Sequence, residues 1–164
     1  WESCITMGTS FSFAYEDRYK SLRELVAILV EVVAKGGNLA LNVGPQPDGR
    51  FPNGAVRCMQ ELGGWLQTYG EAIYGTRPVE PYFTGEWGFT KKGRVVYAIQ
   101  LPAEHTCCDD TELLIPFRGK VERVDRVAGE ENLEFTQSDA GIHVSITGEE
   151  GNPVARVFRL QGSL

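Results

Sequence analysis

The hydrophobic pattern of this chain changes its period near Pro78, and this change restricts the folds that the chain can adopt. Before Pro78, apolar residues recur at every third or fourth position, which is typical of amphipathic α-helices. Beyond Pro81 the period becomes two, as in the run from Ile142 to Ile146, which is typical of half-buried β-strands. The pattern therefore predicts an α/β part followed by an all-β part.

A first helix is predicted near the start of the α/β part. Ser21 and Glu24 have the spacing of a capping box, in which each side chain satisfies a free amide of the first turn. The apolar face that follows comprises Leu22, Leu25, Val26, Leu29, Val32 and Val33. Gly36 supplies the left-handed residue that commonly ends a helix. These signals predict a helix over residues 21–35.

A buried strand and a second helix are predicted next. Residues 39–43 are mostly apolar and do not alternate, as in a parallel strand that is covered on both faces. A turn-rich loop follows, and a second amphipathic pattern runs from about residue 54 to residue 69, where Gly70 ends it. A helix that leads into a buried strand and then a second helix indicates α/β architecture.

The second half of the chain is predicted to be an antiparallel β-sandwich. Short alternating runs are separated by glycine-containing turns about every ten residues. The predicted strands cover residues 86–90, 94–101, 112–117, 120–128, 132–137, 141–147 and 154–161. Seven short strands are enough for a small sandwich. We therefore expect two domains, 1–79 and 80–164.

Charge and hydropathy exclude several classes of partner. The net charge is −6 and the lysines and arginines are not clustered, which argues against binding of nucleic acid or of an anionic membrane surface. The apolar runs are far shorter than the roughly 20 residues that a bilayer-spanning helix needs. An uncharged ligand fits this composition better.

The four cysteines do not predict a metal site or a disulfide framework. Cys4, Cys58, Cys107 and Cys108 lack C-x-x-C spacing and histidine neighbours. Cys107 and Cys108 are adjacent, but a vicinal disulfide requires a strained geometry. We interpret all four as free thiols, and we expect neither a metal nor a cofactor.

One segment is specific enough to indicate a family. Gly36 to Pro45 reads GGNLALNVGP and resembles the GGN-x-LLN-[IV]-GP segment of glycoside hydrolase family 29, the α-L-fucosidases. The family's other segments follow in its order and spacing at Trp1-Glu2, Ser12 to Tyr15, Asp48-Gly49 and Gly70 to Pro78. The detailed match covers residues 1 to about 78, and the β half agrees with the family's sandwich in position and strand pattern.

The resemblance implies a fold and an activity. Residues 1–79 would be the last segments of a (β/α)8 TIM barrel, whose active site lies at the carboxyl ends of the strands, and residues 80–164 would be the sandwich. The parent enzyme would hydrolyse terminal α-L-fucose from a fucosylated oligosaccharide or glycoconjugate by double displacement. Relatives are lysosomal, secreted or periplasmic, and homo-oligomers are compatible with the family. Because the chain starts at Trp1 and not at a methionine, we expect its natural beginning to lie upstream.

The resemblance also assigns residues to the site. Glu2, after Trp1, corresponds to the general acid/base of some family members, whereas other branches use a glutamate that would lie upstream of this chain. The nucleophile would be an aspartate on an earlier strand, which this sequence does not contain, so the isolated chain should be inactive. Phe13 matches an aromatic residue that contacts the C6 methyl group of fucose. Trp1 is a second candidate for sugar binding, although packing is the favoured explanation for it.

Two other readings remain open at this point. A non-catalytic carbohydrate-binding module would use exposed aromatic residues, and four of them cluster in sequence at Tyr82, Phe83, Trp87 and Phe89. The α/β part argues against this alternative, because a freestanding module does not need it. A degenerate, inactive family member is the other alternative, and the upstream coding sequence would decide it.

Overall fold

The computed structural model describes residues 1–102, 112–129, 131–146 and 154–163. Its first part alternates strands and helices: β1 (Glu2–Thr6), α1 (Leu22–Ala34), β2 (Asn38–Asn42) and α2 (Asn53–Tyr69), with a single 3₁₀ turn at Gly70–Ala72. β1 and β2 pair in parallel. Parallel neighbours require a crossover, and α1 provides it. The α/β order predicted for this part is confirmed.

The capping signals set the ends of α1. The Ser21 hydroxyl accepts a hydrogen bond from the Glu24 amide at 3.3 Å, and the Ser21 amide donates to the Glu24 carboxylate at 2.7 Å. This bond from the Ser21 amide lowers the pKa of Glu24. Gly36, with a φ of 78°, follows the helix in the left-handed region. The helix predicted over residues 21–35 is confirmed to within one residue at each end.

Within the described residues, the second part forms eight antiparallel strands in two sheets. The strands are β3 (Arg77–Thr84), β4 (Trp87–Lys92), β5 (Val95–Gln100), β6 (Glu112–Ile115), β7 (Lys120–Arg126), β8 (Phe135–Ser138), β9 (Gly141–Ser145) and β10 (Arg156–Ser163). One sheet has the order β3-β4-β5-β10-β7 and the other β6-β9-β8. Between them lies a core that includes Phe89, Ile115, Val124, Ile142 and Phe158. Each of the seven predicted strands has a counterpart.

The sequence pattern predicted neither β1 nor, in the second part, β3. β3 contains Pro78 and Pro81, which lack the amide hydrogen that a ladder needs. The strand is accommodated because it lies at the edge of its sheet, where only β4 pairs with it, and because its register shifts between Pro78 and Phe83. Proline is therefore confined here to the position where a sheet tolerates it.

The two helices cover the outer face of the five-stranded sheet. Val26 and Val30 of α1 and Trp65 of α2 pack in one apolar cluster with Tyr97 and Ile99 of β5. β5 is consequently buried on both faces, since Val96 and Ala98 point into the core between the sheets. The α/β part and the antiparallel sheets are therefore packed together through this apolar cluster, which we call the second core.

Polar contacts join the same surfaces. Glu71 and Arg159 form an ion pair between the 3₁₀ turn and β10. The buried Thr90 hydroxyl donates to the Ala72 carbonyl at 2.7 Å. Burial raises the pKa of Tyr97, and the nearby Glu71 carboxylate raises it further. These bonds fix the end of α2 against the sheet.

Among the described residues, no helix is both long enough and apolar enough to cross a membrane.

Gly88 sets how closely α1 approaches the sheet. A Cβ atom at Gly88 would lie 2.6 Å from Cγ1 of the buried Val30, so we expect Gly88→Ala to lower the free energy of unfolding by about 1–3 kcal/mol through overpacking. Gly64, exposed in α2 with no atom within 4 Å of such a Cβ, is the matched control. Gly64→Ala should instead raise the free energy of unfolding, by up to about 1 kcal/mol. Urea unfolding of the chain measures both, and equal effects would contradict the close contact.

Candidate functional site at the carboxyl ends of the parallel strands

The carboxyl ends of β1 and β2 are joined by the side chain of Asn42. Its amide nitrogen donates to the Thr6 hydroxyl at 3.2 Å and to the Phe11 carbonyl at 3.0 Å. The Thr6 hydroxyl in turn donates to the Ser10 carbonyl at 3.0 Å. Asn42 therefore holds the loop after β1 across the ends of both strands. These contacts give Asn42 a structural role at the strand ends.

A lysine and an aspartate fix the rest of this loop. The Lys20 ammonium donates to the carbonyls of Thr6 and Gly8, at 2.7 and 3.0 Å. The Asp17 carboxylate accepts bonds from the hydroxyl and the amide of Thr9, each at 2.7 Å. The bond from the Thr9 hydroxyl, followed by the bond from its amide, lowers the pKa of Asp17. Gly8 is required here, because a Cβ atom would lie 1.9 Å from the Asp17 carboxylate.

The loop after β2 packs directly on the loop after β1. A Cβ atom on Gly44 would lie 2.4 Å from the backbone nitrogen of Phe13, so only glycine permits this approach. Further along, Asp48 and Arg50 form an ion pair within a turn, and the bond from the Arg50 side chain lowers the pKa of Asp48. Gly44 thus positions the backbone of Phe13. Sequence reasoning had not assigned it this function.

Aromatic side chains surround these two loops. Phe13 is half-buried and meets Tyr15 edge to face, with ring centroids 4.9 Å apart. Tyr15 is 90% exposed, and Phe11 and Phe51 are about half exposed at 57% and 49%. An aromatic wall of this kind favours apolar groups such as a methyl. The strand end therefore offers an apolar surface beside hydrogen-bonding groups.

Glu2 and Trp1 lie at the other end of β1. In the parallel register Glu2 is opposite Asn38, at the amino ends of the strands, and Thr6 is opposite Asn42. Four residues of strand separate Glu2 from Thr6, which is about 13 Å. We expected Glu2 at the strand end that bears the loops, and this placement is wrong because the strand begins at Glu2. The acid/base role assigned to it by the resemblance is a separate prediction.

Trp1 packs against the turn between α1 and β2. Its indole nitrogen donates to the Lys35 carbonyl at 3.2 Å, and a Cβ on Gly37 would lie 2.5 Å from the ring. The ring is still 63% exposed. The structure therefore brings Phe13 to the loops and separates it from Trp1 and Glu2.

Cys58 packs against Met7 and donates a weak hydrogen bond to the Lys20 carbonyl at 3.6 Å, so it supports the loop after β1 structurally. Cys4 and Cys58 are free thiols, and burial raises the pKa of Cys58. Cys107 and Cys108 lie outside the described residues. Within the described ranges, no group of three or more His, Cys, Asp or Glu side chains is arranged to hold a metal ion.

The four clustered aromatics of the binding-module alternative do not form one platform. Trp87 and Phe89 are buried in the core between the sheets, at 5% and 0% exposure. Phe83 faces the helices, where it packs against the second core and under the Lys35 ammonium. Tyr82 alone of the four is exposed, at 44%. The expectation of a joint platform is wrong because alternate residues of a strand face opposite sides.

Fold and site together define an α/β unit, with a loop-built site at the carboxyl ends of parallel strands, joined to two antiparallel sheets. Residues 1–71 match the family model of the α-L-fucosidases, described as Alpha-L-fucosidase. The resemblance to the α-L-fucosidases seen in the sequence is therefore confirmed for residues 1–71. It is accordingly a relative of glycoside hydrolases.

Curated relatives show the same similarity. The α-L-fucosidase of Dictyostelium discoideum is 43% identical over 81 residues, which cover 48% of this chain and 18% of that protein. The human plasma α-L-fucosidase is 37% identical over 111 residues, which cover 62% of this chain and 24% of that protein. The chain thus matches a fifth to a quarter of the length of these relatives.

Solved structures extend the similarity to the antiparallel sheets. The Thermotoga maritima α-fucosidase, crystallised with a mechanism-based inhibitor, superposes with a TM-score of 0.86 at 29% identity, over 99% of this chain and 40% of that one. α-L-Fucosidase isoenzyme 1 of Paenibacillus thiaminolyticus gives a TM-score of 0.82 at 28% identity, over 98% of this chain and 39% of that one. Both parts of the chain therefore have counterparts in one enzyme fold.

The hydrogen bonds to Asp17 should make the loop after β1 sensitive to acid. Because folding lowers its pKa below the ordinary 3.8, Asp17 stabilises the fold above that pH and loses its contribution as the pH falls through the lower, folded value. We expect Asp17→Asn to flatten the stability of the chain below about pH 4. Urea midpoints between about pH 2.5 and 6 measure this. Asp139→Asn, in an exposed turn, is the control, and an unchanged profile in Asp17→Asn would contradict the prediction.

Proposed function

We propose that this chain forms the carboxyl-terminal part of a retaining α-L-fucosidase, which removes terminal α-L-fucose from oligosaccharides or glycoconjugates by double displacement. One observation carries the proposal. The loops fixed by Asn42 and Gly44, at the carboxyl ends of two parallel strands, lie within the segment that matches the family model. Carboxyl strand ends are where barrel enzymes of this type place their chemistry.

Residues 1–79 form, in this proposal, the last strands and helices of a (β/α)8 barrel, and residues 80–164 form a β-sandwich domain. Parallel sheets are normally covered on both faces and extended on both sides. Here β1 and β2 make a sheet of only two strands, and apolar side chains such as Leu39 and Leu41 are only half-buried. Further barrel strands of the parent enzyme would complete this sheet.

In this proposal the strand-end loops shape the sugar-binding site. The two catalytic carboxyl groups lie outside these loops. A retaining glycosidase needs two carboxyl groups about 5–5.5 Å apart, one of which has a raised pKa so that it can protonate the leaving oxygen. The carboxylates on these loops that carry a resolved shift, Asp17 and Asp48, have lowered pKa values and already accept bonds from Thr9 and Arg50. They are structural. The isolated chain is therefore inactive in this proposal.

Phe13 is the proposed contact for the C6 methyl group of fucose. Its backbone is fixed by Gly44, and its ring is braced by Tyr15. A methyl group gains from burial against an aromatic ring, whereas the hydroxyl of galactose at the same carbon would be left without a partner. The wall thus supports selection of the deoxy sugar.

The test of this proposal is hydrolysis of aryl α-L-fucosides by the complete parent protein. We expect activity in the parent, none in the 164-residue chain, and a fall of about 10- to 200-fold in kcat/KM for Phe13→Ala, which is the range for losing one apolar contact. Phe13→Trp, which keeps the ring, should retain most of the activity, and Tyr74→Ala, an exposed aromatic elsewhere, should change nothing. An inactive parent would favour a degenerate member, and an unaffected Phe13→Ala would remove the methyl contact.

Glu2 requires a separate test because its position conflicts with the role that the resemblance assigns. Its backbone lies about 13 Å along the strand from Thr6, which argues against Glu2 being one of two carboxyl groups about 5.5 Å apart around a sugar bound at the strand end. We therefore expect Glu2→Gln in the parent protein to keep kcat within about threefold and its pH profile unchanged. Adding azide to Glu2→Ala distinguishes the alternative: loss of activity that azide restores, with release of fucosyl azide, would make Glu2 the acid/base.

A further inference from the structure

A cavity on the antiparallel sheets lies apart from the strand-end loops. Its volume is about 680 Å³, and it opens between β3 and the segment that joins β6 to β7. Val79, Pro81 and Phe117 supply apolar surface, and Glu80, Tyr82 and Arg118 supply polar groups. None of these residues belongs to the strand-end loops that are proposed to bind fucose. The cavity is large enough for a small ligand.

The backbone at Tyr82 is held in an unfavourable conformation beside this cavity. Its φ is 61°, in the left-handed region that glycine and asparagine adopt far more readily than an aromatic residue. Burial does not offset this cost, because the side chain is 44% exposed. Tyr82 lies in the stretch of β3 where the register shifts, and its exposed side chain lines the cavity, where it is available to a ligand.

The polar groups of the cavity suit an uncharged, hydroxyl-rich ligand. The Tyr82 hydroxyl lies 3.5 Å from a Glu80 carboxylate oxygen, so the ring and the carboxylate face the same space. Arg118 also lines this cavity and brings a positively charged side chain to it. A carboxylate accepts and a guanidinium donates hydrogen bonds, and together they match the vicinal hydroxyls of a sugar. The Tyr82 ring would stack on the apolar face of that sugar.

We propose that this cavity is an accessory binding site for a neutral pyranose unit of a glycan, with Tyr82 as the stacking residue and Glu80 and Arg118 as hydrogen-bonding partners. The site uses no residue of the strand-end loops. It is therefore independent of the proposed reaction, and either can fail without the other.

A second, larger cavity provides an internal comparison. It has a volume of about 760 Å³ and lies on the three-stranded sheet beside His143 and Ser138, whose side chains are 3.3 Å apart. Its aromatic residue, Phe135, is packed against the core and is not free to stack on a ligand. Its charged lining includes Glu112 and Glu134. This cavity lacks the exposed ring, so substitutions there serve as controls.

The proposal is tested by titrating the 164-residue chain with lactose and with fucosyllactose while following backbone amide signals by NMR. We expect saturable shifts at residues 79–84 and 116–119 with at least one of the two sugars. Tyr82→Gly should weaken binding by about three- to tenfold, the range for one aromatic contact. Glu80→Gln should weaken it as well, and the control His143→Ala should not.

Tyr82→Gly also separates binding from folding. Because glycine adopts this φ without cost, the variant should unfold at the same or a higher urea concentration than the wild type while losing affinity. A lower unfolding midpoint would show that the ring is retained for packing and would overturn the proposal. It would likewise be overturned by the absence of saturable shifts, by unchanged affinity in Tyr82→Gly, or by shifts confined to residues 7–15.

Discussion

The apolar contact between α1 and the outer face of the five-stranded sheet is the interaction on which the rest of the structure depends. It buries Val26 and Val30 against β5 and brings the helix close enough that only glycine fits at position 88. Since α1 is also the crossover between β1 and β2, its position fixes those strands. The antiparallel sheets therefore support the strand-end site indirectly, through α1, although they contribute none of its loops.

Close backbone approaches, rather than side-chain chemistry, shape the strand-end site. Gly44 lies against the backbone of Phe13, and Gly8 leaves room for the Asp17 carboxylate. Asn42 then joins both strand ends to the loop with one amide group. Each of these three residues fills a position that a larger or differently bonded side chain could not occupy without a change in the surrounding contacts.

The sequence predicted the helices and strands well, but it predicted less well where they lie relative to one another. Both helices and eight of the strands, β2 and β4 to β10, were predicted because capping and periodicity are local signals. β3 was not predicted, since its prolines are tolerated only at a sheet edge, and the edge is a property of the assembled sheet. The site shows the same limit. Phe13 was predicted to lie in the loop region of the site, but which end of β1 carries Glu2 depends on where the strand begins.

The lowered pKa values of Asp17 and Asp48 bear on which part of the proposed enzyme supplies the catalytic proton. A loop carboxylate that accepts several hydrogen bonds is held ionised and is a poor proton donor, and Asp17 and Asp48 are both of this kind. Such groups make the loops rigid at neutral pH, so that an apolar wall can be presented in a fixed position. The proton transfer then requires a carboxyl group in a less polar setting. In the proposed barrel that group comes from another strand, while this chain fixes the sugar's methyl side.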